Sequence, residues 1–389
     1  MNRCIERMKP SASVQLMAKA KQMKQTDPSI IDLAGGEPDF PTPEKITKAT
    51  IESLLSGNTH YAVGPGIPAL RHAIQQKLER ENGIICDADH ILVTPGGKNA
   101  IYLSLQALLN PGDEVIILTP AWVTYEPAVL AAHGEPVLVA LDHRNNYAIT
   151  AECLEAAYTE KTKLLIINYP NNPTGRILHQ EEADILEAFM LRHPEVYLLA
   201  DEIYETIVYD GAVSISMGSR TSICDRVITI NGFSKSVAMT GWRMGYLAAS
   251  EPVFQAIYKL YQHSLTCMNS FLQVGAVEAF SCQQEIDEMR RIYAYRRDYL
   301  VEHLNQIPGV KFRSPEGAFY AWVEFEGTGM TSAQMSEYLL DKARIVGVPG
   351  TAYGEDRVCC LRFSFATATE DLIEAVSRIK IVMEKQTFL

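Results

Sequence analysis

The chain has 389 residues, 47% of them hydrophobic and 21% charged, the balance of a globular protein rather than a disordered or fibrous one. Its formal net charge of −12 leaves no basic nucleic-acid footprint. No segment reaches the roughly 18 apolar residues of a membrane span, and the opening MNRCIERMKPSASVQL lacks a signal-peptide apolar run.

In chain order, residues 1–45 hold a short helical pattern and a Gly/Pro loop, LAGGEPDFPTP. HILV (90–93) reads as a strand, T-P-G-G as a turn, KNAIYLSLQALL (98–109) as a helix and NPGD as another turn. EVIIL, EPVLVAL, KLLIIN, VYLLAD, RVITIN and MGYLAAS continue the strand series to residue 250, with helical patterns in several gaps. A charged helical region follows at 283–306. FYAWVEF, ARIVGV and CCLRFSF are further strands, and SAQMSEYLLDKA and EDLIEAVSRIKIVMEK are helices. This order predicts an α/β fold with a mostly parallel, seven-stranded sheet sandwiched by helices over 46–285. A smaller α+β domain is expected from both chain ends, 1–45 and 286–389. The eight cysteines (Cys4, Cys86, Cys153, Cys224, Cys267, Cys282, Cys359, Cys360) form no C-x-x-C pair and no metal-ligand spacing. They read as buried free thiols in a reducing, cytoplasmic compartment, and no metal is expected.

Ligands of open α/β sheets sit beyond the carboxyl ends of the strands, so the residues there carry the functional reading. After HILV, Gly96-Gly97-Lys98 opens a helix, a suitable place for a phosphate but also an ordinary connector. After EVIIL, Trp122 can stack on a flat ring or serve as core. After KLLIIN, the turn YPNNPTG aims Asn172. After VYLLA come Asp201, costly to bury without a cation or donor, and Tyr204 three residues on. After RVITIN comes GFSK: Lys235, flanked by small and apolar residues, has Arg226 and Arg243 as its nearest charges in sequence. Such a lysine can be desolvated and its pKa lowered, giving a neutral amine able to form a Schiff base with an aldehyde.

Jointly these features describe one ligand. It has a phosphate (Gly96, Gly97, Ser234, Arg243), a flat ring (Trp122), an aldehyde (Lys235), a ring nitrogen wanting a carboxylate (Asp201) and an oxygen wanting donors (Asn172, Tyr204). Pyridoxal 5′-phosphate satisfies every part.

The stretch GFSKSVAMTGWRMG resembles the lysine signature of the class I pyridoxal-phosphate aminotransferases, and NNPTG and DEIY are similar to that family's other marks. MKPSASV, GEPDF, YAVGPGIPALR, GGKNA and LRFSFAT extend the resemblance over nearly the whole chain, towards the bacterial aspartate aminotransferases. The resemblance implies fold type I and a homodimer with shared active sites, in which Tyr61 serves the neighbour's phosphate. It also implies that Arg362 and Gly36 meet the substrate α-carboxylate and that Lys98 meets a distal carboxylate. Ser11 and Ser13 belong to a segment that closes over the site. Two departures stand out: Gly232 where many relatives carry a phosphate-binding serine, and Asn99 in place of glutamine. The implied reaction transfers the amino group of an L-amino acid, aspartate first, to a 2-oxo acid such as 2-oxoglutarate. It runs through a Lys235 aldimine in a ping-pong sequence, with no nucleic acid or membrane involved. Aromatic or prephenate transamination and β-lysis are alternatives on the same fold. A cofactor-sensing regulator would need a DNA-binding segment, and a dinucleotide enzyme would need G-x-G-x-x-G after a strand, which is absent.

Overall fold

The computed structural model describes residues 3–8 and 10–385. Its strands, in chain order, are β1 (Ile31–Asp32), β2 (Ile91–Thr94), β3 (Glu114–Thr119), β4 (Glu135–Ala140), β5 (Thr162–Asn168), β6 (Tyr197–Asp201), β7 (Val227–Gly232), β8 (Gly245–Ala248), β9 (Val310–Phe312), β10 (Tyr320–Phe325), β11 (Ile345–Val346), β12 (Val348–Pro349) and β13 (Cys360–Ser364).

Seven of them build one sheet in the order β2-β8-β7-β6-β5-β3-β4. β8 is antiparallel to both its neighbours and the remaining pairs are parallel. The apolar runs seen in the sequence are what such a sheet requires, because both faces are covered. Along β3, Val115 and Ile117 join one buried cluster with Leu105, Ile230 and Phe254. Ile116 and Leu118 join another with Leu186, Phe189 and Leu198, as alternation across a strand dictates. The helices Gly97–Leu108 and Glu251–Ser264 supply the first layer, and Gln180–Arg192 the second. β4, at the sheet edge, is only half covered.

A smaller α+β unit contains the antiparallel sheet β12-β13-β10-β9. Gln283–Leu304, Ser332–Ala343 and Thr369–Glu384 pack on it around Tyr293, Phe319, Leu339, Phe363 and Phe365. β1 pairs in parallel with β11, so the N-terminal segment is sewn to the C-terminal part of the chain.

Two expectations need correction. ARIVGV is not one strand: β11 and β12 belong to different sheets, separated at Gly347. A Cβ there would lie 2.3 Å from the Phe363 ring, so the chain bends where an aromatic side chain occupies the space. The cysteines are all free, but only Cys282 and Cys360 are buried, and Cys224 is exposed. Among the described residues no helix is long and apolar enough to cross a membrane, and no His/Cys/Asp/Glu group has metal-binding geometry.

Candidate active site

The parallel strands β5, β6 and β7 end side by side, with Asn168 in register with Asp201 and Asp201 with Ile230. Beyond these ends opens a cavity of ≈ 400 Å³, into which β10 and β13 also bring side chains. It is lined by Gly36, Gly97, Lys98, Trp122, Asn172, Asp201, Tyr204, Ser234, Lys235, Arg243 and Arg362, eleven of the candidate positions.

Lys235 lies in the single helical turn Phe233–Ser236 that follows β7. Its ammonium group donates to the Gly36 carbonyl. Burial pushes its pKa down to about 8, helped by Arg243 and Arg362 and opposed by Glu37 and Asp201. These carboxylates are distant in sequence, so the purely cationic surroundings read from neighbouring residues are incomplete.

Asp201 ends β6 and is 5% exposed. Burial raises its pKa to about 6, against the pull of a 2.7 Å hydrogen bond from the Tyr125 hydroxyl and one from the Ile203 amide. Asn168 fixes the neighbouring turn: its Nδ2 donates to the Asp201 carbonyl at 2.9 Å and its Oδ1 accepts the Asn172 amide at 3.0 Å. Tyr204 meets Tyr320 hydroxyl to hydroxyl at 2.7 Å. Burial, with Tyr320 next, holds the Tyr204 hydroxyl well above its ordinary pKa.

Arg362 is not at a sheet edge, since β13 runs between β12 and β10. It is 3% exposed, and its guanidinium lies over the rings of Tyr320 at 4.3 Å and Tyr353 at 5.3 Å. It donates to Asn172 Oδ1 at 3.0 Å and to the Ala34 carbonyl at 2.7 Å, while its buried Nε has no partner. A stacked, partly unsatisfied guanidinium facing a cavity is equipped to receive a carboxylate.

On another wall the backbone itself forms a cradle. Gly96 (φ +81°) caps the helix starting at Gly97, and a Cβ on it would lie 2.7 Å from Arg243 Nη2. A Cβ on Gly245 would stand 2.6 Å from the Gly97 amide, and one on Gly232 2.8 Å from the Gly245 Cα. The absence of a serine at 232 therefore accompanies close backbone packing of β7 on β8. Arg243 itself has a left-handed backbone (φ +55°), a strained conformation of the kind found at binding sites. Lys98 Nζ sits 4.9 Å over the Trp122 ring, and burial, then Arg243, lowers its pKa.

Of the other candidates, Gly96 backs Arg243 without lining the cavity, and Tyr61 is 89% exposed and outside it. The Ser13 side chain lies outside the described residues, whereas Ser11 does line the cavity.

The profile of the family described as "Aminotransferase class I and II" matches residues 28–379. The chain belongs to that family. It is 41% identical over 378 residues to the aspartate aminotransferase of Musicola paradisiaca, covering 96% of this chain and 94% of the relative. It is 38% identical over 386 residues to aromatic-amino-acid aminotransferase 2 of Thermococcus litoralis, with 98% of each covered. The crystal structure of the aspartate aminotransferase from Rhizobium meliloti superposes with a TM-score of 0.94 at 36% identity, with 98% of each chain covered.

Four further side chains line this cavity and have no counterpart among the candidates read from the sequence: Tyr125, Asn168, Tyr320 and Glu37. Asn168 closes the KLLIIN run and could have been found by asking where a buried strand-end amide sends its bonds. Tyr125, Tyr320 and Glu37 reach the site through tertiary folding and carry no local signal.

Proposed function

We propose that this aminotransferase uses pyridoxal 5′-phosphate and moves the amino group of an L-amino acid, aspartate foremost, to a 2-oxo acid such as 2-oxoglutarate, the first product leaving before the second substrate binds. One observation carries the reading: the half-buried Lys235, its amine desolvated, shares a cavity with a buried carboxylate and with Arg243, Ser234 and Gly97, which Gly96 backs as an anion cradle. The residues fit the cofactor chemically. The cradle, with no room for a Cβ at Gly96, offers donors to a phosphate dianion, and Asp201 offers a carboxylate to a protonated ring nitrogen. Asn172 and Tyr204 would hold the ring oxygen, and Trp122 the ring face. When bound, the cofactor supplies an aldehyde for amine exchange and an electron-withdrawing ring.

The remaining work falls to this chain. Lys235, poised near neutrality, takes and returns the substrate Cα proton. Asp201, kept in place by Tyr125 and Ile203, holds negative charge where positive charge must persist. Arg362 and the Gly36 backbone orient the α-carboxylate, and Lys98 meets the distal one. The Lys235→Ala variant is expected to lose the visible absorbance of the bound cofactor and nearly all turnover; a variant that still transaminates would overturn the proposal.

A second reading, aromatic donors, is favoured by an adjoining cavity of ≈ 480 Å³ of mixed lining, Glu126 and Thr119 included. It shares Ser11, Trp122 and Val123 with the active site and adds Leu130, Pro349 and Tyr353. Lys98→Ala separates the two: it should harm aspartate turnover far more than phenylalanine turnover, and equal losses would remove Lys98 from substrate recognition.

The same reading includes a cytoplasmic homodimer with Tyr61 lent to the neighbouring site. Support comes from exposed Leu55, Tyr61 and Val63, 53–89% accessible in the single chain. It also includes the division into a domain over 46–285 and one from 1–45 and 286–389. That division is supported by the confinement of the large sheet to residues 91–248 and by the β1–β11 pairing.

A further inference from the structure

A smaller cavity of ≈ 50 Å³ adjoins the Lys235 turn and shares no lining residue with the active-site cavity. Phe233 and Ser236 form one wall, Glu205 and Thr206 another, and Asn231, Lys77 and Tyr246 also face it. It therefore lies between the two turns that carry the proposed chemistry, 201–206 with Asp201 and Tyr204, and 231–236 with Ser234 and Lys235. A backbone bond of 2.9 Å, from the Glu202 amide to the Ile230 carbonyl, ties the first turn to the end of β7, just before the second.

Two buried polar atoms on this lining have no partner: Asn231 Nδ2 and Thr206 Oγ1. Asn231 is 2% exposed, and its Oδ1 accepts the Gly232 amide at 2.7 Å. That bond fixes the amide's orientation, so the unpaired group is a donor. A buried donor left unsatisfied keeps its full desolvation penalty, so it calls for an acceptor. Glu205 is engaged by Lys77 and by Asn82 Nδ2, with its side chain 9% exposed. The occupant must accept from an N–H and meet a hydroxyl beside a carboxylate. The Asn231 donor and Lys77 disfavour a cation, and Glu205 with Glu81 disfavours an anion. Water meets all the conditions, and one molecule needs roughly 10–15 Å³ of such space.

We propose that ordered water in this cavity bridges Asn231 Nδ2 to Thr206 Oγ1, and that these two are positioning residues holding the Lys235 turn against the Asp201 turn. The inference rests on the roles assigned above to Lys235 and Asp201. Thr206→Val removes the hydroxyl while keeping shape, Asn231→Leu removes the donor, and Thr206→Ser keeps the bridge. Thr206→Val and Asn231→Leu should each lower kcat on the order of tenfold, with KM for the amino acid little changed, and move the pH midpoint of the holoenzyme's visible absorbance. Thr206→Ser should behave as wild type. The double variant should be no worse than either single one, because one bridge is lost once. A crystal structure of the holoenzyme should show water within hydrogen-bond distance of both atoms. Wild-type kcat and midpoint in Thr206→Val, losses that multiply in the double variant, or a cavity without bridging water would each overturn the proposal. Should Asn231→Leu fail to fold, the threonine pair and the crystal structure decide alone. If the wild type itself gains no visible absorbance with pyridoxal 5′-phosphate, the cofactor reading is what fails, and a crystal structure of the cofactor-free chain then tests the bridge by the same water.

Discussion

At Lys235 one side chain is asked both to be buried and to be basic, and the two demands meet at a pKa of about 8. Burial disfavours the charged form, so between about 8 and the ordinary lysine value of 10.5 the folded, cofactor-free chain binds fewer protons than the unfolded one. Stability contributed by this group therefore rises with pH across that window. Thermal melts of cofactor-free wild type and Lys235→Met should show the wild type gaining on the variant as pH climbs through it; a constant difference would contradict the assigned burial. Asp201 is the complementary case, an acid raised to about 6 by burial. Asp201→Asn keeps the shape and a partner for Tyr125 but abolishes the charge. Turnover should fall on the order of a hundredfold or more, with the amino-acid KM much less affected. At 362, lysine would preserve charge but not the planar fork stacked between Tyr320 and Tyr353. Arg362→Lys should raise the amino-acid KM chiefly, because two-pronged recognition of a carboxylate is what a guanidinium provides.

At the scale of single elements, the proposed active site is a set of strand ends and the turns that leave them. Gly96 shows how little freedom such a turn has: its φ of +81° and the Arg243 guanidinium at its missing side chain both exclude a Cβ. Gly96→Ala should store about 1–3 kcal/mol of strain and weaken cofactor binding, measured by equilibrium dialysis. Undiminished affinity would show that the cradle is softer than its geometry. Most of the elements were legible beforehand because the large sheet is covered on both faces, so its strands are short apolar runs bounded by turn residues. ARIVGV misled for the same reason: an apolar run announces burial, and only the Phe363 ring beside Gly347 decides that it is split between two sheets.

For the whole molecule, Arg296 joins distant parts of the fold. It makes two bonds to Asp39, at 2.9 and 2.8 Å, and a longer one to the Phe365 carbonyl, from a side chain 7% exposed. Arg296→Met strands the partly buried Asp39 of the GEPDF loop, and stability should drop by about 3 kcal/mol or somewhat less, given the carboxylate's partial access to water. The proposed dimer is tested by mixing: Tyr61→Ala and Lys235→Ala chains, each impaired alone, should recover activity when co-refolded, since one site of a mixed dimer then holds both intact residues. No recovery would argue against shared sites. By itself, the sequence determined the layered α/β architecture, the order of strands and turns, and the residues at their carboxyl ends, because periodicity and turn chemistry are local properties of a chain. Tertiary structure alone decided that Tyr125 holds Asp201, that Tyr320 and Tyr353 bracket Arg362, and that Glu37 bears on Lys235. Those contacts join positions far apart in the chain, and their strength comes from a low-dielectric interior that exists only once the layers have closed.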